Sequence, residues 1–217
     1  MLTRIAIDGP GGAGKSTLAK ILAREYNIDY VDTGAMYRAV GYKLLNSGTD
    51  CKNIEEIEKM LDETSIDFSD KHIYLDGVDV SDHIRSPEVS MTASECSKLE
   101  PVRNKLVKIQ QDMGKSKSLV MDGRDICTNV MPDAEHKFFI TASAEERARR
   151  RYKEMQEKGI SADFDSVLAD INKRDYNDTH RKLNPLRAAD DAIVLDTTGM
   201  SIDEVITKLK SFIERKI

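Results

Sequence analysis

The chain has 217 residues, enough for one well-buried α/β domain with an insertion on the order of tens of residues, so a single domain with appendages is expected. A net charge of −5 and a pI near 5.5 argue against a sequence-independent nucleic-acid binder or an anionic membrane surface as partner, while leaving clustered arginines able to hold a small anion. Cys51, Cys96 and Cys127 form no CxxC pair, the four histidines lack zinc-ligand spacing, Asp8 interrupts the N-terminal apolar run, and no stretch approaches about 18 apolar residues; a cytoplasmic, reduced protein without a membrane span is expected.

Taken in chain order, the first predicted element is a strand, Leu2 to Ile7. It runs directly into Gly9-Pro10-Gly11-Gly12-Ala13-Gly14-Lys15-Ser16-Thr17, a complete phosphate-binding loop of the form GxxxxGK[ST]. Glycines let backbone N–H groups converge on the β- and γ-phosphates of a nucleoside triphosphate. Lys15 supplies a mobile ammonium, and Ser16 a hydroxyl for Mg²⁺. Leu18, Ile21, Leu22 and Tyr26 then recur at helical spacing, so a helix aims its N-terminus at the anion. A second strand, Ile28 to Val31, leads into Asp32-Thr33-Gly34-Ala35-Met36-Tyr37-Arg38. Taken alone, that cluster also admits the lesser reading of an Asx-type turn entering a helix.

Between Thr49 and Pro101 the pattern changes. A helical stretch near Ile54 to Leu61 gives way to Ile73-Tyr74-Leu75, Asp76-Gly77 and Val78-Asp79-Val80, which reads as a hairpin around a type I′ turn inserted into the alternation. Ser118 to Met121 is the next parallel strand. It ends at Asp122, where a carboxylate holds Mg²⁺ directly or through water, and Gly123-Arg124-Asp125 follow at once. Further strands are expected at Lys137 to Ile140 and Ala192 to Leu195, making five. Ser143 with Glu146, and Ser201 with Glu204, have the capping-box form. From Glu145 to Arg174 the chain is charged and helical, with a break at Gly159. The last helix carries an apolar stripe of Ile202, Val205, Ile206, Leu209, Phe212 and Ile213.

Strand ends in a parallel α/β sheet share one rim, so the phosphate loop, Asp32 to Arg38 and Asp122 to Asp125 are expected to face one crevice. Arginines at 38, 103, 124, 174 and 181 then have a common purpose, because two anionic phosphates approach each other only with compensating cations. The pattern points to phosphoryl transfer between two substrates.

The ordered set GPGGAGKST, DTGAMYR, GVDVSDHIRSPEV with TASECSKLEPVR, DGRD and KRDYNDTHR resembles the bacterial cytidylate kinases over essentially the whole chain. That resemblance implies an adenylate-kinase-like fold, ATP and Mg²⁺ as donor and cofactor, and CMP or dCMP as acceptor. It implies an acceptor-binding region at about 33–105, carrying the hairpin, and a helical lid at about 143–182 within one kinase domain, 1–217. By the same resemblance Arg38, Arg124 and Arg181 hold the acceptor phosphate and steady the transferring group. Ser94, Arg103 and Asp125 read cytosine, and Arg174 and Asp178 contact the ribose. Thr33 and Tyr37 occupy acceptor-site positions, Thr33 standing where the family has serine. Arg147 and Arg151 resemble lid arginines over the adenine end of ATP. A monomer acting on small molecules, without nucleic acid or membrane, is expected. A kinase for UMP, AMP or a non-nucleotide acceptor shares the fold and loop, and a nucleotide-dependent switch is the alternative of another class, although no guanine-reading NKxD is present.

Overall fold

In a computed structural model of the chain, residues 2–50, 53–69, 72–157 and 159–214 are described. In chain order the strands are β1 (Arg4–Asp8), β2 (Asp29–Asp32), β3 (Ile66–Ser69), β4 (His72–Leu75), β5 (Val78–Asp79), β6 (Leu119–Gly123), β7 (His136–Thr141) and β8 (Ile193–Asp196). The helices are α1 (Lys15–Glu25), α2 (Thr33–Ser47), α3 (Ile54–Asp62), α4 (Pro87–Cys96), α5 (Glu100–Ser116), α6 (Ala144–Glu157), α7 (Phe164–His180) and α8 (Ile202–Glu214). The chain divides into two compact units, Met1–Tyr30 with Lys117–Ile217, and Val31–Ser116.

The five predicted parallel strands form one sheet in the order β2-β6-β1-β7-β8, with β1 at its centre and paired in parallel with both β6 and β7. Within the first unit, Ile5 and Ile7 of β1, Val120 of β6, and Phe138 and Ile140 of β7 share a buried core with Leu18 and Leu22 of α1 and with Val205, Leu209 and Ile213 of α8. Removing these side chains from water is the main force holding the helices to the sheet. The predicted stripe of α8 is realised from Val205 onward. Ile202 departs from it and stays 51% exposed, because it stands in the helix's first turn, before the stripe meets the sheet. Ser201 and Glu204 form the full reciprocal capping box, whereas at α6 Ser143 caps Glu146 but its own N–H turns to Thr198. Helices α6 and α7 pack on one another through Ala148, Val167 and Ile171, with the Tyr152 and Phe164 rings edge to face at 6.0 Å. Gly159, at φ +69°, lies in the predicted break between them.

In the second unit the hairpin is present as read: Asp76 and Gly77 both have positive φ, 53° and 80°, as a type I′ turn requires. A third strand, β3, pairs antiparallel with β4, Ile66 against Leu75 and Phe68 against Ile73. It was not expected from the sequence, because a four-residue run shows too little alternation to stand out. Asp76 also accepts from the Ser65 N–H and pairs with Lys43, which ties the turn to the rest of the unit. Cys51 lies outside the described residues; Cys96 and Cys127 are buried thiols.

Candidate active site

The phosphate loop begins where β1 ends, and its glycines are there for space as well as conformation. Gly9 has φ +147°, and a Cβ on it would stand 1.9 Å from the Ile140 carbonyl oxygen; Gly12 has φ +78°, with Arg147 3.3 Å from where its Cβ would be. Pro10 and Ala13 are buried within the loop, and Gly11 lies beneath the Arg124 guanidinium. Gly14 is the N-cap of α1 and no side chain caps the helix, so its first-turn N–H groups are available to an anion. Ser16 and Thr17 are exposed in that first turn, while Lys15 is 5% exposed and donates to the Pro10 carbonyl at 2.8 Å. Burial, reinforced by the Arg124 charge, lowers the Lys15 ammonium to about 7. A phosphate oxyanion beside Lys15 would reverse that pressure.

Asp122, at the end of β6, accepts from the Ser16 hydroxyl at 2.9 Å and from the Tyr30 hydroxyl at 2.8 Å. The two predicted metal-site residues are therefore in contact. One hydroxyl and one carboxylate are hard oxygen donors of the kind Mg²⁺ takes alongside phosphate oxygens and water. Among the described residues no group of three or more His, Cys, Asp or Glu could hold a metal ion.

Beyond Asp122, the Arg124-Asp125 loop meets the C-terminal end of α7 in two crossed ion pairs. Arg124 donates to Asp178 at 2.7 Å, and Arg181 donates to Asp125 at 2.9 Å, the second pair being buried on both sides. Asn129 donates to the other Asp125 oxygen, and the Asn184 carbonyl accepts from Arg181 Nε. Four predicted acceptor residues thus stand together. Arg174, one turn before Asp178, is exposed.

The two predicted lid arginines have different settings. Arg147 is 4% exposed; it engages Asp175 through both terminal nitrogens (3.1 and 2.5 Å) and donates to the carbonyls of Gly11 and Ala142. It pins α6 to α7 and to the phosphate loop. Arg151 is exposed and pairs with Glu154. Arg150, which sequence reasoning passed over, has a terminal nitrogen 3.9 Å from where a Cβ on Gly14 would sit.

In the second unit, Asp32 caps α2 by accepting from the Ala35 N–H and also pairs with Arg38, so the turn reading of this segment and a cation-placing role hold together. Gly34 makes room for that pair, since a Cβ there would lie 3.1 Å from Arg38 and 3.2 Å from Asp32. The Arg38 Nε is buried with no hydrogen-bond partner among the described residues, a donor suited to an anion. Thr33 is buried, and Tyr37 lies 5.8 Å from the Arg103 guanidinium, which is itself only 2% exposed and donates to the Ser97 carbonyl. Ser94 is half-buried on α4.

Three further contributors escaped sequence reasoning: Tyr30 on Asp122, Asp175 on Arg147, and Asp8. Asp8 is fully buried at the end of β1 and accepts from the N–H groups of Ile126 (2.9 Å) and Cys127 (2.7 Å). Burial pushes its carboxyl up to about 6. The available signal was a charged residue closing an otherwise apolar strand.

Comparison with known proteins agrees with this chemistry. The family model described as cytidylate kinase matches residues 5–215. A cytidylate kinase of Caldicellulosiruptor saccharolyticus is 53% identical over 209 residues, covering 94% of this chain and 92% of that protein. One of Thermosipho melanesiensis is 49% identical over 216 residues, covering 100% and 99%. One of Clostridioides difficile is 48% identical over 207 residues, covering 95% and 96%. Among solved structures, the shikimate kinase of Bacteroides thetaiotaomicron has a TM-score of 0.51 at 14% identity, covering 99% of each chain, a likeness of fold.

Proposed function

The chain belongs to the cytidylate kinase family and phosphorylates CMP, and we propose that it does so by in-line transfer of the γ-phosphoryl group of ATP, giving ADP and CDP, with dCMP as a second acceptor. The observation that carries the mechanism is the phosphate loop with Lys15 buried in it, beside the Ser16–Asp122 pair and the Arg124 and Arg181 cations. Ser16 and Asp122 are the residues to hold Mg²⁺, which when bound neutralises charge on the transferring group and its leaving oxygens.

The acceptor's phosphate oxygen is already ionised near neutral pH, so the reaction needs no general base. The chain's work is positioning and charge compensation. Lys15 and the loop N–H groups take the β- and γ-phosphates, and Arg38, Arg124 and Arg181 take the acceptor phosphate. Arg174 and Asp178 take the ribose. Ser94, Arg103 and Asp125 take cytosine, with Thr33 and Tyr37 completing the acceptor residues. Arg147 orders the α6–α7 pair against the phosphate loop, leaving Arg151 as the more exposed candidate for the nucleotide's adenine end. Among the described residues no helix is long and apolar enough to cross a membrane. We take the protein to be a cytoplasmic monomer acting on small-molecule substrates. A coupled ADP-release assay tests the reading: release should depend on CMP and on Mg²⁺, whereas a nucleotide switch would release ADP at a rate indifferent to CMP.

A further inference from the structure

We propose that Asp8 is a positioning residue for phosphoryl transfer: by holding the N–H groups of Ile126 and Cys127, it sets the place of Arg124 and Asp125 against the phosphate loop. This rests on the reading of Arg124 and Asp125 as acceptor-contacting residues.

Asp8 is the last residue of β1, and the next residue, Gly9, opens the phosphate loop. In the β1–β6 ladder Asp8 stands opposite Gly123, and Ile7 opposite Asp122. Its backbone therefore begins one functional loop while its side chain reaches the segment directly after the other. That segment, Ile126–Val130, is a single π-helical turn in which the N–H groups of Val130 and Met131 reach back to the carbonyls of Asp125 and Ile126. A turn of this kind leaves its first N–H groups without intrahelical partners, and they are buried. The Asp8 carboxylate supplies one oxygen to each, Oδ1 to Ile126 and Oδ2 to Cys127.

The residue type follows from this geometry. Two consecutive N–H groups need two acceptors on one short side chain, which an ionised carboxylate offers. Asparagine has a single acceptor, and its NH₂ would face the second N–H. Burial disfavours the charge and the two N–H bonds favour it, so the group is retained against a real cost. Cys127, which receives the Asp8 contact, also directs its thiol to the carbonyls of Ala6 and Phe138, so the turn is seated on both β1 and β7. A loop anchored at this point cannot swing at Arg124 and Asp125. If the anchor is weakened, the cation for the acceptor phosphate and the carboxylate for the base should move together.

Steady-state kinetics of Asp8→Asn test the proposal. The expected result is a fall in kcat/KM for CMP of at least about tenfold and a smaller CMP-to-UMP ratio, the scale on which small displacements of positioned groups act, with KM for ATP changed far less. Asp125→Asn is measured alongside, with the double variant. The double variant should lose no more CMP-to-UMP discrimination than Asp125→Asn alone, because both changes act through the same carboxylate. Asp8→Asn that unfolds at lower temperature but keeps kcat, both KM values and the base ratio would overturn the proposal, leaving Asp8 a plain cap. Equal weakening of ATP and CMP with the ratio kept would also overturn it, assigning Asp8 to the phosphate loop. If Asp125→Asn too leaves the ratio unchanged, the acceptor reading has failed and the proposal falls with it; if only Asp8→Asn does, the proposal alone is overturned. Should Asp8→Asn not fold, amide exchange of the wild-type protein decides. Ile126 and Cys127 amides that are slow without nucleotide, and slower with CMP but not with ATP, support the proposal; open-loop rates or indifference to CMP overturn it.

Discussion

Arg124 and Asp178 meet at 2.7 Å across 54 residues of sequence, and the pair is mirrored by Arg181 and Asp125 at 2.9 Å. The loop offers Arg then Asp, and the helix end offers Asp then Arg, so each cation proposed for the acceptor phosphate is matched with a carboxylate proposed for its ribose or base. An acceptor nucleotide carries both halves of that chemistry. Its phosphate can replace the carboxylates, and its hydroxyl and amino groups can replace the guanidinium groups.

Asp178→Ala should therefore raise KM for CMP while leaving KM for ATP little changed. The Arg124–Asp178 pair is partly exposed, so the change should lower stability by no more than about 1 kcal/mol. Steady-state kinetics beside a thermal melt check both halves, and equal weakening of the two substrates would point instead to disorder of α7.

Lys15→Ala should lower kcat at least about a hundredfold, the scale of losing a principal electrostatic contact in a preorganised site. Lys15 is buried against the Pro10 carbonyl, inside the loop proposed to take the β- and γ-phosphates, so the effect should fall on transfer. Single-turnover assays on the folded variant measure it; near-normal turnover would contradict the phosphate-loop mechanism.

Asp125→Asn should shrink the CMP-to-UMP ratio of kcat/KM. A carboxylate accepts from the cytosine amino group and repels the uracil carbonyl, whereas an amide can serve either. The variant keeps a hydrogen-bond acceptor for Arg181 but removes its buried counter-charge, so some loss of stability should accompany the change of ratio. An unchanged ratio with equal loss on both bases would make Asp125 scaffolding.

Asp8 also makes a prediction about pH. With its folded carboxyl raised to about 6 from 3.8, the folded state binds more protons than the unfolded state between those values, so this group's contribution falls as pH rises through that window. The stability of the wild type relative to Asp8→Asn should decline by roughly 2 kcal/mol between pH 4 and 6, since one proton is worth about 1.4 kcal/mol per pH unit and the folded carboxyl is only half-ionised at pH 6. Denaturant unfolding of the two proteins at both pH values checks the sign.

What the sequence disclosed, and what it hid, divides by the range of the interaction. The phosphate loop, the strand ending at Asp122, the Asp76-Gly77 turn and the Ser201–Glu204 box are local, and their residue types follow from backbone needs within a few positions. Strand β3 is local too, but four residues are too few to show a period. The site's internal wiring is different. Asp175 lies 28 residues from Arg147, and Asp8 lies 118 and 119 residues from the N–H groups it holds, so no spacing rule could join them. The capping role of Asp32 was legible, yet its simultaneous hold on Arg38 needed the helix geometry. For Arg147, spacing alone put two arginines on one helix face, and burial then separated the one locked to Asp175 from the exposed Arg151.

The most direct measurement offers the protein MgATP with CMP, dCMP, UMP, AMP and GMP in separate reactions and resolves the products by chromatography. CDP and dCDP should form fastest, with the other diphosphates far slower, and ADP should appear in equal amount to the diphosphate made. ADP release without a matching diphosphate, or a preference for UMP or AMP over CMP, would contradict the assignment.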